Sequence, residues 1–148
     1  MIIIRGRNVY PQDLEDSLRG CHPLVRPGGI AAFGVSADEA SGEMDSWAGP
    51  DEHVVVFVET REDKLSEQAT DEVITAVRGR LNAGHQIAHP VVVLGRIGLV
   101  RKTTSGKVRR QACKQDFVSG KTGTGRHVIT VASPPVTLPV PAAAGGPS

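Results

Sequence analysis

Aromatic side chains are scarce, with one Trp, one Tyr and three Phe in 148 residues. A surface that stacks successive bases on rings is therefore poorly supplied, which counts against a single-strand nucleic-acid binder, and the core is expected to be aliphatic. Cysteine is scarcer still. Cys21 and Cys113 show no metal-ligand spacing and no disulfide framework, which fits a reducing compartment and makes a cytoplasmic location the expectation. No apolar run approaches the roughly 18 residues of a membrane span, and the opening MIIIRGRN is charged too early for a signal peptide. The last third lacks acid. Residues 96–148 hold 9 Lys and Arg against Asp116 alone, whereas residues 1–95 hold 8 against 15 Asp and Glu. A formal net charge of +1 thus conceals an acidic body and a basic end.

What is present reads as one domain of ordinary size, 39% hydrophobic, without internal repeats. Ile2, Ile3 and Ile4 form a β-branched run that predicts a strand starting almost at the first residue, abruptly enough to expect a fragment of a longer protein. Pro11 suits a first helical position, Asp13 and Glu15 complement the helix dipole, and Gly20 suits the C-terminal cap. These residues predict a helix over 11–19 with Leu14 and Leu18 inward. IAAFGV (30–35) reads as a short strand and 36–51 as an acidic, Gly-rich loop. HVVVFVET (53–60) is the strongest strand, expected to be central and paired with 30–35. Thr70 reads as the N-cap of a helix running to about Ala83, and PVVVLG as the next strand. Val108, Ala112, Cys113 and Phe117 make the apolar stripe of a last helix. From 121 to 148 the chain turns to Pro, Ala and Gly, a tail in which RHVITVAS can add an edge strand. His22, His53, His85 and His89 pair with no Cys or acid at ligand spacing, so structural or surface roles are expected and no metal site.

The basic turn VRKTTSGKVRR (100–110) carries the functional question. It is not a P-loop, because Arg101 stands where the first glycine is needed and Val108 where the magnesium-binding hydroxyl is needed. A solvated loop, a nucleic-acid patch and an anion-binding loop remain. Read as an N-cap, Ser105 places Lys107, Arg109 and Arg110 in the first turn of the last helix. Cations there oppose the dipole, each at a cost of roughly 0.3 to 1 kcal/mol, so an anionic partner is implied. Thr103, Thr104, Ser105 and Gly106 would offer it hydroxyl and N–H donors.

KTTSGKVRR followed by a short helix resembles the final motif of the adenylate-forming superfamily: acyl- and aryl-CoA synthetases, nonribosomal adenylation domains and luciferases. GRNVYPQDLE, near the start, resembles the motif that opens the small C-terminal domain of those enzymes just after their hinge. RNVYPQD and HPLVRPGGIAAFGV are similar to the fatty acyl-AMP ligase form, whereas CoA ligases more often show a GEN or GxxV version. Arg101 departs from the pattern, since the superfamily commonly has proline at that point.

The resemblance covers residues 2 to about 120 and implies an α+β fold, a small C-terminal lid domain with a short antiparallel sheet flanked by helices. Residues 1–120 would be the lid and 121–148 a mostly flexible tail or linker. It further implies that Lys107 is the catalytic lysine, that Thr104, Ser105 and Gly106 form the substrate- and nucleotide-binding loop, and that Arg5, Gly6 and Arg7 lie on a face serving the second half-reaction. The roles of Lys102, Arg109 and Arg110 stay open. ATP and Mg2+ would be held mainly by a large N-terminal domain, and no cofactor by this domain alone. The implied partners are that domain, a fatty acid, and an acyl carrier protein or polyketide synthase, with no nucleic acid and no membrane span. The implied activity is acyl-AMP formation from a long-chain fatty acid and ATP, absent from the isolated chain. The alternatives are the lid of a fatty acyl-CoA ligase, or a stand-alone module binding a carrier protein or nucleic acid.

Overall fold

A computed structural model describes residues 2–4, 6–36, 53–62, 64–87, 90–118 and 128–132. Their elements run β1 (Ile2–Ile4), β2 (Arg7–Val9), α1 (Pro11–Leu18), β3 (Val25–Val35), β4 (His53–Thr60), α2 (Glu67–His85), β5 (Val91–Gly95), α3 (Arg110–Val118) and β6 (Val128–Ala132). β1 and β2 form an antiparallel hairpin turned at Gly6, whose φ is 73°. Gly6 thus shapes the hairpin turn, and Arg7 and Asn8 begin its second strand. The expected loop at 36–51 falls almost wholly outside the described residues, as do Arg5 and His89.

The main sheet has the order β3-β4-β5-β6, which makes the fold α+β as expected and places β4 inside it. β3 and β4 are antiparallel, with Val35 opposite His53. β4 and β5 are parallel because α2 carries the chain back to the starting edge, so the sheet is mixed. β6 pairs antiparallel with β5; five residues of the segment read as a tail therefore extend the sheet.

Strand alternation divides the core into two faces. Val54, Val56 and Val58 of β4 join Ile30, Ala32, Val92 and Leu94 beneath α1 and α2, where Leu14, Leu18, Val73, Val77 and Leu81 are buried. The opposite face carries Val55, Phe57, Ala31, Val91 and Val93 beneath α3. There the expectation of an aliphatic core is corrected: all three phenylalanines meet. Phe33 and Phe57 lie 5.2 Å apart edge to face, and Phe117 of α3 lies 6.0 Å from Phe33. Scarcity in the composition did not prevent concentration in space.

Three local readings change. The strand predicted for 30–35 begins at Val25, interrupted by a shift of register between Val25 and Ile30 across Arg26, Pro27, Gly28 and Gly29. Pro27 has no N–H to give the ladder, and the extra residues leave Glu59 opposite the bulge. α2 begins earlier than Thr70: Ser66 is the N-cap, its Oγ accepting the Ala69 N–H at 3.0 Å, while the Thr70 hydroxyl donates back to the Ser66 carbonyl. α3 begins at Arg110, so Ser105 is not its N-cap. Among the described residues no helix is long and apolar enough to cross a membrane.

Candidate functional site

The basic turn is a small hairpin. Lys102 and Val108 pair as an antiparallel bridge, the Thr103 N–H donates to the Lys107 carbonyl at 2.8 Å, and the Arg109 N–H donates to the Arg101 carbonyl at 2.8 Å. Across the tip the Gly106 N–H donates to the Thr103 carbonyl, with Gly106 at φ 90°. A left-handed residue closing a short loop is the arrangement that lets two strands twist back together, and glycine adopts it without a Cβ penalty. The Thr103 hydroxyl oxygen accepts the Lys107 N–H at 3.1 Å and lies 3.0 Å from the Ser105 hydroxyl. The amides of Gly106 and Lys107 are therefore spent within the turn and are not donors for a ligand. Thr104 and Ser105 remain exposed at its tip.

The five cations of the turn have different surroundings. Arg101, standing where the resemblance expects proline, forks onto Asp116 of α3, Nε to Oδ2 at 2.9 Å and Nη2 to Oδ1 at 3.3 Å. Its N–H also points at the Cys113 thiol at 3.4 Å. A proline would stiffen this approach covalently; here an ion pair ties it to the helix. Arg110 forks onto Glu15 of α1, Nε to Oε2 at 2.8 Å and Nη2 to Oε1 at 2.6 Å. The hydrogen bond to Glu15 raises the Arg110 pKa further, against a smaller opposing effect of burial. Lys102, Lys107 and Arg109 are exposed, and the Lys107 ammonium has no hydrogen-bond or ion-pair partner among the described residues.

This corrects the dipole argument. Only Arg110 lies in the first turn of α3, and the anion that offsets its charge is a carboxylate of the chain itself. Glu15, read from sequence as a complement to the dipole of α1, is instead buried at 5% exposure, and its Oε2 also accepts the Ala32 N–H of β3 at 2.9 Å. A second buried carboxylate holds the approach to the turn. Glu59 Oε2, on the central strand, accepts the N–H groups of Gly98 and Val100 at 3.0 Å each. Its other oxygen lies 3.5 Å from Arg26 Nε. Sequence reasoning missed Glu15, Glu59 and Asp116 as members of the site. For Asp116 a signal was available, because it is the one acid in the basic end of the chain.

The other predicted face is built differently. Gly6 shapes the β1–β2 turn, and Arg7 crosses to the C-terminus of α2, donating to the His85 carbonyl and to Gln86 Oε1. A guanidinium there satisfies carbonyls at the helix end and complements the dipole. His85 Nε2 lies 2.6 Å from the Ser17 hydroxyl, and His22 accepts the Leu24 N–H through Nδ1 while Nε2 lies 3.4 Å from Glu72. Both histidines thus have structural contacts. Among the described residues no three His, Cys, Asp or Glu side chains come together to hold a metal ion.

No family model matches the chain. It is 35% identical over 120 residues to the medium-chain-fatty-acid–acyl-carrier-protein ligase of Moorena producens, an alignment covering 81% of this chain and 18% of that protein. It is 30% identical over 134 residues to the long-chain-fatty-acid–AMP ligase of Mycolicibacterium smegmatis, covering 85% of this chain and 21% of that one. The fold matches part of the crystal structure of a fatty acid AMP ligase from Legionella pneumophila with a TM-score of 0.61 at 22% identity, over 84% of this chain and 19% of that chain. The chain spans about a fifth of the length of the curated relatives it matches. Together with the order of its two motifs, these matches identify it as a homologue of part of the fatty acid–AMP ligases, consistent with a C-terminal domain of the adenylate-forming superfamily.

Proposed function

We propose that the chain is the lid of a fatty acyl-AMP ligase and that Lys107 is its catalytic lysine. One observation supports this above the others: the Lys107 ammonium is exposed and, among the described residues, unpartnered, while its backbone is closed on both sides by hydrogen bonds to Thr103. When a fatty carboxylate attacks the α-phosphate of ATP, two anions meet and charge builds on the departing pyrophosphate. A cation on a stiff mount meets that charge with little reorganisation, stabilising the transition state electrostatically without taking a proton. Adenylate-forming ligases use ATP and Mg2+ generally. In this reading both are held mainly by a large N-terminal domain. Thr104 and Ser105 face the nucleotide from the tip of the turn, Gly106 gives the turn its shape, and Gly6 and Arg7 lie on the face used when the acyl group passes to the thiol of an acyl carrier protein.

The test is the parent ligase with ATP, magnesium, a long-chain fatty acid and free CoA, its products followed by mass spectrometry. Acyl-AMP should accumulate with little acyl-CoA, and Lys107→Ala should slow its formation by about 100- to 1,000-fold, the scale seen when one preorganised charge-stabilising donor is removed. Efficient acyl-CoA formation would assign the lid to a CoA ligase instead. Adenylate formation unaffected by Lys107→Ala would reject the lysine's role.

A further inference from the structure

Lys107 is separated by two residues from Arg110, and none of the intervening backbone is slack. Val108 is bridged to Lys102, the Arg109 N–H donates to Arg101, and Arg110 is forked onto Glu15. Glu15 lies 95 residues earlier in the chain and is in turn bonded to the Ala32 amide. It belongs to α1, the helix that directly follows the β1–β2 hairpin. The lysine turn is therefore tied to α1 and β3 by this charged contact, on the side opposite to its approach, which Glu59 of β4 and Asp116 of α3 hold.

Only the Glu15 end of this pair is buried, while Arg110 is partly exposed, and burying one carboxylate is a costly way to obtain stability. What a forked guanidinium–carboxylate contact adds is direction, since two parallel N–H···O bonds fix both distance and rotation. An apolar residue at position 15 would leave the buried Ala32 N–H without its acceptor, so the carboxylate also serves β3, and the fork to Arg110 is what adds direction to the turn.

Building on the role proposed for Lys107, we propose that Glu15 and Arg110 are positioning residues for adenylation: their pair aims the Lys107 turn, and is not needed for acyl transfer to the thiol. The turn would still form without the pair, held by its own hydrogen bonds, but its ammonium would sample orientations away from the developing charge. A displacement of about 1 Å at a reacting group can cost roughly 100-fold in rate.

The experiment compares two half-reactions in the parent ligase: acyl-AMP formation from fatty acid and ATP, and thioester formation from preformed acyl-AMP and holo carrier protein. The informative variant is Glu15→Gln with Arg110→Met, which removes both charges together and keeps an acceptor for the Ala32 amide, so that it can fold where a single deletion leaves a buried charge unpaired. Expected is a fall of about 10- to 100-fold in kcat for adenylation, KM values for ATP and fatty acid within two-fold, and thioester formation near wild type. Arg110→Lys, which keeps the charge but not the fork, should fall between the two. Equal loss in both half-reactions, or full adenylation activity in the double variant, overturns the proposal. Lys107→Ala measured alongside separates the failures: if it alone abolishes adenylation, only the positioning role is lost, and if it has no effect, the lysine's role fails first.

Discussion

A Cβ added to Gly29 would lie 2.5 Å from Glu59 Oε1. The bulge in β3 and the buried carboxylate on β4 thus fit only because this position has no side chain, and that carboxylate holds the two amides leading into the basic turn. Gly29→Ala should destabilise the chain by about 1–3 kcal/mol through overpacking. Gly79, inside α2 with open space around its Cα, should behave oppositely, its replacement by Ala raising stability by about 0.5–1 kcal/mol. Urea unfolding of the two variants checks both signs.

Gly106 tests the shape of the lysine turn. No atom would obstruct a Cβ there, so the cost of Gly106→Ala comes from the backbone alone, at φ 90°. About 1–2 kcal/mol is expected, with Asn tolerated better than Ala. Amide exchange at Thr103, Gly106 and Lys107 should accelerate while exchange in α2 stays unchanged.

The start of α2 can be checked by its cap. Ser66→Ala removes the acceptor for the Ala69 N–H and should cost about 1 kcal/mol. Thr70→Ala, which removes only a hydroxyl bonding back to the preceding turn, should stay within about 0.5 kcal/mol. The reverse order in thermal melts would restore the cap that sequence alone suggests.

Cys113 makes alkaline stability predictable. Burial is the largest cause of its raised pKa, with a smaller opposing contribution from the Arg101 N–H. Its folded pKa lies above the unfolded value of about 8.5. The folded state then holds a proton that the unfolded state releases, so this contribution is complete below the unfolded pKa and is lost as pH rises toward the folded one. Stability should decline above about pH 8.5, Cys113→Ala should flatten part of that slope, and the thiol should react with an alkylating reagent far faster after unfolding than before.

Much was legible because it rests on local physics. The unbroken run around Val55 and Phe57 announced a strand covered on both faces, and Leu14 with Leu18 announced the inward side of α1. The misreadings came where two local rules competed. Ser105 before a basic helical stripe looks like an N-cap, but Gly106 turns left-handed immediately afterwards and the chain closes a hairpin before any helix begins. Thr70 followed by two acids also looks like a cap, and Ser66 a turn earlier has the geometry.

The sequence by itself determined the two-faced strands, the helices that cover them, and the motif that puts Lys107 in a Gly-containing basic turn, because periodicity, glycine and charge act over a few neighbouring residues. Only the tertiary structure decided which of the turn's cations find a carboxylate among the described residues. Arg101 meets Asp116 and Arg110 meets Glu15 through contacts that depend on how α3 and α1 lie against the sheet. Ion pairs between distant residues leave no periodic trace in a chain, and it is folding that satisfies two of the five cations and leaves the Lys107 ammonium exposed.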